Sequence, residues 1–111
     1  MISLTVQYSS QALEDLKSIY EYIAYELLAP ATAEGQVSRI RSAIRTLDNM
    51  PEKHKVYENE PWRSQGLRYF PVDNYLVFYI FQKKTKAVSV VRIIYGARDL
   101  NNQLKNMDET L

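Results

Sequence analysis

Two apolar runs in the C-terminal half constrain the fold of this chain more than any other feature. Residues 75–81 and 87–95 are rich in β-branched and aromatic side chains, and five polar residues, 82–86, separate them. Runs of this length and composition are typical of strands, and a connection of five residues suits a β-hairpin. The sequence therefore predicts a hairpin around which the rest of the chain packs.

The N-terminal half predicts one strand followed by two amphipathic helices. Residues 4–8 alternate apolar and polar side chains, as a half-buried strand does. A helix is expected to begin after Ser9 and to end near Pro30, and a second helix to span residues 32–49 with Thr32 as its N-cap. The expected core-facing residues recur at three- and four-residue steps: Leu13, Leu16, Tyr20, Ile23 and Leu27, then Ala33, Val37, Ile40, Ile44 and Leu47.

The remaining segments complete an α+β fold. Residues 51–65 lack periodicity and predict a long connection with a brief extended piece around Val56, whereas residues 67–70 predict a further strand. We expect a single domain over residues 1–111, in which residues 101–111 form a short terminal helix or a mobile tail. Its architecture would be an N-terminal strand and a helical hairpin packed on a small, mainly antiparallel four-stranded sheet, with the first strand at an edge.

The predicted strand at residues 75–81 is apolar on both of its faces. Tyr75, Val77 and Tyr79 alternate with Leu76 and Phe78. Because one small helical layer covers only one face of a sheet, we expect the other face to be exposed, apolar and rich in tyrosine. Exposed apolar faces in soluble proteins mark interaction sites, so this pattern predicts a protein partner.

Composition excludes several classes of site. The chain has no cysteine and one histidine, which excludes disulfides, iron–sulfur clusters and thiolate zinc sites, so we expect no metal and no cofactor. No segment has the length and hydropathy of a membrane span, and a cytoplasmic protein is expected. The net charge is +1, but residues 51–100 carry nine Lys and Arg against five Asp and Glu. This is a mild footprint for an anionic partner, and a solvated sheet rim explains it equally well.

Several motifs, taken in order, resemble the RelE/ParE superfamily of bacterial type II toxins. The helical pieces are Ser10-x-x-Leu13-x-x-Leu16, Tyr22-Ile23 and Leu47-x-x-Met50-Pro51. The more specific pieces are Gly66-Leu67-Arg68, Asn74-Tyr75-Leu76-Val77-Phe78-Tyr79 and Arg92-Ile93-Ile94-Tyr95-Gly96-Ala97-Arg98-Asp99. The resemblance covers nearly the whole chain. It implies a small α+β toxin that is neutralised by an antitoxin encoded beside it, in a hetero-oligomeric complex.

The superfamily divides by target, and the resemblance bears on the division. RelE-like members cleave mRNA within the translating ribosome without a metal, whereas ParE-like members inhibit DNA gyrase. RelE-like enzymes carry basic residues where this chain has Leu67 and Tyr69, and a catalytic arginine where it has Leu76. Arg98 matches the arginine after the last strand, but no tyrosine or histidine follows it. The resemblance therefore favours ParE-like inhibition of gyrase by binding.

Two other interpretations stay open. One is a ribosome-dependent mRNA endonuclease, whose candidate catalytic residues are Arg98, Arg68 and His54. The other is an inactive protein that only binds an antitoxin.

The candidate residues for contacts with the antitoxin or the target are Arg68, Trp62, Tyr75, Tyr79, Arg92, Tyr95 and Arg98. Arg92 lies in an apolar strand, so it either contacts a partner or pairs within the domain. Trp62 either anchors a partner or closes one end of the core.

Overall fold

The structure is a computed structural model that describes residues 4–96 and 100–105. In chain order its elements are β1 (Thr5–Tyr8), α1 (Ser10–Glu21), a π-helical turn (Tyr22–Glu26), α2 (Pro30–Arg45), a 3-10 turn (Thr46–Asp48), β2 (Lys55–Val56), β3 (Arg68–Val72), β4 (Tyr75–Gln82), β5 (Ala87–Tyr95) and α3 (Leu100–Lys105).

The sheet has the strand order β1-β5-β4-β3-β2, in which β1 runs parallel to β5 and the other neighbours are antiparallel. The predicted α+β architecture is confirmed, including the edge position of the first strand. The sheet has five strands rather than the four predicted, because Lys55 and Val56 in the long connection pair with Tyr69 and Arg68.

The helix starts follow local chemistry. Ser9 caps α1 as predicted, since its Oγ accepts a hydrogen bond of 3.0 Å from the Ala12 amide. The prediction of Thr32 as the second N-cap is wrong, because α2 already begins at Pro30. Proline lacks an N–H and has a fixed φ, and both properties suit the first helical position.

The first helix ends in a π-helical turn, and its buried stripe differs from the predicted one. The Leu27 amide donates to the Tyr22 carbonyl at 3.1 Å, a bond that spans five residues. The buried stripe follows Ala12, Leu16, Ile19 and Ile23. Leu13 and Leu27, both predicted to face the core, are exposed, because Leu13 lies off this stripe and Leu27 lies just after the π-helical turn.

A first apolar cluster fills the space between the helices and one face of the sheet. The odd-numbered side chains of β4 point into it, and Tyr79 is fully buried there. The helical residues of the cluster are Ala12, Leu16, Ile19, Ile23, Ala24, Ala33, Ile40, Ile44 and Leu47. The stripe predicted for the second helix is thus confirmed, with Val37 partly buried.

A second apolar cluster covers the opposite face of the sheet, where we predicted an exposed one. The even-numbered side chains of β4 point to this face. The cluster that covers them comprises Tyr57, Trp62, Leu67, Phe78, Val91, Ile94 and Leu104. The expectation was wrong because the long connection folds back over the sheet and α3 adds Leu104.

A β-bulge in β5 decides which face each later side chain occupies. Tyr79 pairs with Val90 and Phe78 with Arg92, so Val91 has no partner on β4. The extra residue shifts the alternation, and Ile93 packs with the helices while Ile94 packs in the second cluster. Tyr95 consequently lies on the helical side.

Among residues 4–96 and 100–105, no helix has the length and apolar character needed to cross a membrane.

Candidate functional site

A cleft with a volume of about 790 Å³ opens between α1, the π-helical turn and the ends of β4 and β5. The residues that line it include Asp15, Ser18, Ile19, Tyr22, Ile23, Leu27, Gln36, Asn74, Tyr75, Arg92, Ile94 and Tyr95. The cleft exists because β1 pairs with β5 only as far as Val90, so the last part of β5 has α1 beside it instead of a strand.

Three of the predicted site residues line this cleft: Tyr75, Arg92 and Tyr95. Tyr75 and Tyr95 are opposite each other on β4 and β5, and their rings pack edge to face with centroids 5.7 Å apart. Tyr95 remains 44% exposed. The β-bulge brings Tyr95 to this side of the sheet, so the cleft depends on it.

The end of the helical hairpin continues the cleft outward as an apolar surface. Its four residues, which we name the hairpin-tip surface, are Tyr22, Tyr25, Leu27 and Leu28, with exposed fractions of 55%, 66%, 55% and 82%. Leu28 also adopts a left-handed conformation with φ of 55°. Leucine rarely occupies that region, and glycine usually does. This residue ends the first helix, where the Ala29 amide donates to the Ile23 carbonyl at 3.0 Å, and it leaves an exposed apolar side chain at the tip.

Arg92 and Asp15 form the floor of the cleft. Arg92 Nε donates to Asp15 Oδ2 at 2.8 Å and Arg92 Nη2 to Asp15 Oδ1 at 3.1 Å, a bidentate pair. The Ile93 amide donates to the same carboxylate at 2.9 Å, and Arg92 Nη1 donates to the Gln103 carbonyl at 3.1 Å. Arg92 therefore pairs within the domain, where it joins α1, β5 and α3.

A polar cluster holds the opposite wall. Asp73, in the turn between β3 and β4, accepts hydrogen bonds from Arg39 Nε at 2.8 Å and Gln36 Nε2 at 2.9 Å. These bonds, with that from Arg39 first, hold the pKa of the Asp73 carboxyl below its usual value. They attach α2 to the turn that carries Asn74 and Tyr75 into the cleft.

Arg68 and His54 lie together, away from the cleft. Arg68 Nη1 donates to the carbonyls of Glu52 and His54 at 3.1 and 2.7 Å. The His54 ring stacks on Phe70 with centroids 4.2 Å apart. Burial, then Lys53 and Arg68, lower the pKa of His54, which favours its neutral form. The Arg68 guanidinium is thus occupied by backbone oxygens.

The remaining predicted site residues do not join either group. Tyr79 is fully buried and its hydroxyl donates to the Pro51 carbonyl at 2.7 Å, while burial raises its pKa to about 12. Trp62 is buried in the second cluster and packs edge to face with Tyr57. Arg98 lies outside the described residues. Within the described ranges, no group of three or more His, Asp or Glu side chains has the geometry of a metal site.

None of the four residues of the hairpin-tip surface is among the contact residues predicted from the sequence, and Leu27 was expected in the core. Tyr22 and Tyr25 lie off the apolar stripe, three residues apart and shortly before Pro30. Two tyrosines that lie off the apolar stripe near the end of an amphipathic helix were the sequence feature that could have predicted this surface.

One protein family matches most of the chain. Residues 6–100 match the sequence model of one family, the ParE toxins of type II toxin–antitoxin systems encoded by parDE. No curated protein sequence is significantly similar to the chain.

Solved structures share the fold. The chromosomal ParDE toxin–antitoxin system of P. aeruginosa matches with a TM-score of 0.69 and 19% identity, covering 84% of this chain and 96% of the other. A RelBE toxin–antitoxin complex of Mycobacterium tuberculosis matches with a TM-score of 0.61 and 18% identity, covering 88% of this chain and 97% of the other. The archaeal RelE–RelB complex of Pyrococcus horikoshii matches with a TM-score of 0.60 and 18% identity, covering 87% of this chain and 99% of the other. With the family match spanning most of the sequence, the chain belongs to the ParE toxin family of type II toxin–antitoxin systems.

Proposed function

We propose that this toxin inhibits growth by binding DNA gyrase, without a covalent step of its own, and that an antitoxin neutralises it by occupying the cleft and the hairpin-tip surface. Membership of the ParE family supports the choice of gyrase. The antitoxin is the partner named in the related ParDE and RelBE complexes.

One observation supports a mechanism without RNA cleavage more than any other. Leu67, Tyr69 and Leu76 stand where the resemblance expects the basic residues of the cleaving branch, and all three pack in the second apolar cluster. Leu67 is fully buried. Stabilising an in-line phosphate requires cations pointed at it. This face offers packed apolar side chains at those positions.

A second mechanism rests on the proximity of His54 and Arg68. A neutral histidine beside an arginine can act as a general base on a 2′-hydroxyl. The geometry supports this mechanism less, because the ring lies against Phe70 and the guanidinium is bonded to two carbonyls.

Two assays test the target. Purified toxin should inhibit the supercoiling activity of gyrase, and inducing the toxin in a bacterial host should arrest growth while transcripts stay intact. Translation-dependent cuts within codons, mapped transcriptome-wide a few minutes after induction, would overturn the proposal in favour of the endonuclease. Growth without arrest would indicate the inactive, antitoxin-binding interpretation.

A separate measurement tests the antitoxin surface. The double variant Tyr25→Ser/Leu28→Asn removes two exposed apolar side chains and should weaken binding of the antitoxin by at least about tenfold, as loss of interface anchors does. Met50→Ser is the matched control, because Met50 is 55% exposed and lies outside the cleft and the hairpin-tip surface. Equal affinities for the double variant and the unaltered chain would show that the antitoxin docks elsewhere.

A further inference from the structure

The end of the sheet opposite the cleft carries a concentration of positive charge that the antitoxin surface does not use. The cleft lies near Tyr75, where β4 begins, whereas β4 ends at Gln82 and runs directly into a lysine-rich turn. An eight-residue strand spans about 23 Å, so the lysine-rich turn is well separated from the cleft, whereas Arg68 pairs with Tyr79 and lies nearer the middle of β4. We name the second one the lysine end; it comprises Lys53, Lys55, Arg68, Lys83, Lys84 and Lys86.

Contacts of Glu52, Arg68 and Lys83 join three parts of the chain at the lysine end. Glu52 Oε2 lies 3.7 Å from Arg68 Nη2 and 3.6 Å from Lys83 Nζ, which joins the start of β3 to the turn between β4 and β5. Arg68 also bonds the backbone on either side of Lys53, through the carbonyls of Glu52 and His54. Arg68 thus positions the segment that carries Lys53 and Lys55.

The lysine end has more charge than its neighbours neutralise. All five of its lysines are exposed, and Lys83 shares the Glu52 carboxylate with Arg68. Among the described residues, Lys53, Lys55, Lys84 and Lys86 have no ion-pair partner. Of the five ammonium groups and one guanidinium, only those of Lys83 and Arg68 lie near a carboxylate, so the surface has an excess of positive charge, which attracts polyanions.

We propose that the lysine end binds the phosphate backbone of duplex DNA. Lysine is depleted at protein–protein interfaces, and of the exposed large apolar side chains among the described residues only Val56 is next to a member of the lysine end in the sequence, so a protein partner would find little to bury. Flexible ammonium groups suit phosphates that need no bidentate recognition.

The aromatic chemistry of the site favours a duplex over a single strand. Single-stranded binding uses exposed aromatic faces on which bases stack. Three aromatic side chains lie beside these lysines, and each is packed rather than free: the His54 ring stacks on Phe70, Tyr69 packs against the second cluster and Phe81 against the first. The lysines are therefore suited to contacts with the phosphate backbone of a base-paired duplex. The choice of DNA over duplex RNA rests on the proposed function, because DNA is the duplex that gyrase acts on.

Fluorescence anisotropy of a labelled duplex DNA titrated with the purified full-length chain tests this inference. Affinity should fall steeply as salt rises from about 50 to about 200 mM, with a log–log slope of about −0.9 for each phosphate contact. The triple variant Lys53→Gln/Lys83→Gln/Lys84→Gln should bind at least about tenfold more weakly and lose up to about 2.7 from the magnitude of the slope.

A variant with the same charge change elsewhere is the control. Lys17, Arg63 and Lys105 are exposed and lie outside the lysine end, so Lys17→Gln/Arg63→Gln/Lys105→Gln should keep the slope of the unaltered chain. Circular dichroism verifies that both variants fold. If the control variant lost as much affinity for the duplex, the effect would come from net charge alone and the site would be overturned. The absence of duplex binding by the unaltered chain at the lowest salt would also overturn it.

Competitors separate the other partners, and gyrase separates the two proposals. Competition by polyglutamate as strong as by DNA would assign the surface to an acidic protein, and tighter binding of duplex RNA would overturn the choice of DNA. The assay contains no gyrase. A toxin that inhibits gyrase but binds no duplex contradicts this inference alone, whereas one that binds the duplex and leaves supercoiling unaffected contradicts the proposed function.

Discussion

The sequence left two roles open for Arg92, contact with a partner or pairing within the domain, and in the structure it pairs within the domain. A cation inside an apolar strand has to pair or face a partner. The side chain of Arg92 is 13% exposed and that of Asp15 17%, and the carboxylate also accepts the Ile93 amide, so the pair is structural. Its partner is 77 positions away in the sequence, and no local pattern indicates it.

Asp15→Asn tests the weight of this pair. The substitution leaves a largely buried guanidinium without its counter-charge, which should lower the free energy of unfolding by about 3 kcal/mol. Urea denaturation measures it. Asp48→Asn, at an exposed carboxylate, should change the value by less than about 0.5 kcal/mol. A loss at Asp15 no larger than at Asp48 would show that the pair adds little.

Leu28→Gly separates stability from binding at one position. Glycine adopts the left-handed conformation of Leu28 without steric cost, so the free energy of unfolding should rise by about 1 kcal/mol. Antitoxin affinity should fall, because the leucine side chain is 82% exposed on the hairpin-tip surface. Leu28→Ala keeps the strained conformation and removes most of the side chain. It should therefore weaken antitoxin binding without raising the free energy of unfolding. A gain in affinity with glycine would contradict this account.

His54 makes stability depend on pH in a narrow window. Its pKa in the folded state is lowered from 6.5, chiefly by burial. As the pH falls below 6.5, His54 takes up a proton in the unfolded chain but not yet in the folded one. The free energy of unfolding therefore decreases between pH 6.5 and the lower pKa of the folded state. Denaturation at about pH 7 and about pH 5.5 measures the loss. His54→Phe keeps a ring against Phe70 and should abolish the dependence, since the chain has no other histidine. An unchanged dependence would assign it to another group.

At the scale of elements, the long connection is a structural layer. Its sequence lacks periodicity because Tyr57 and Trp62, together with Leu67 just before β3, are anchors in an irregular path. Trp62→Ala should lower the free energy of unfolding by about 3 kcal/mol or more, as large cavities do, and Trp62→Phe by clearly less. Both are measured by urea denaturation. Unchanged stability together with a loss of partner binding would restore Trp62 as a partner anchor.

At the scale of the whole molecule, the two apolar clusters share one sheet. Consecutive residues of β4, Phe78 and Tyr79, belong to different clusters, so neither layer can be lost without disturbing the other. We expect one cooperative transition. Fluorescence of Trp62, the only tryptophan, reports on the second cluster, and far-ultraviolet circular dichroism reports mainly on the helices over the first. Their urea midpoints should coincide, and separate midpoints would show that the layers unfold independently.

The sequence by itself determined the element types, the edge position of β1, the Ser9 cap and most of the buried stripe of α2. These depend on periodicity and on side-chain chemistry within a few residues, which the sequence records directly. The family resemblance likewise rested on short motifs in order.

Only the tertiary structure decided the candidate site. The π-helical turn exposes Leu27, the bulge at Val91 sends Tyr95 to the helical side, and Asp15 finds Arg92 across most of the chain. The covered second face has the same origin, because an aperiodic connection shows its path only once its anchors meet the sheet. Each of these features depends on contacts between residues distant in sequence, and local patterns do not encode such contacts.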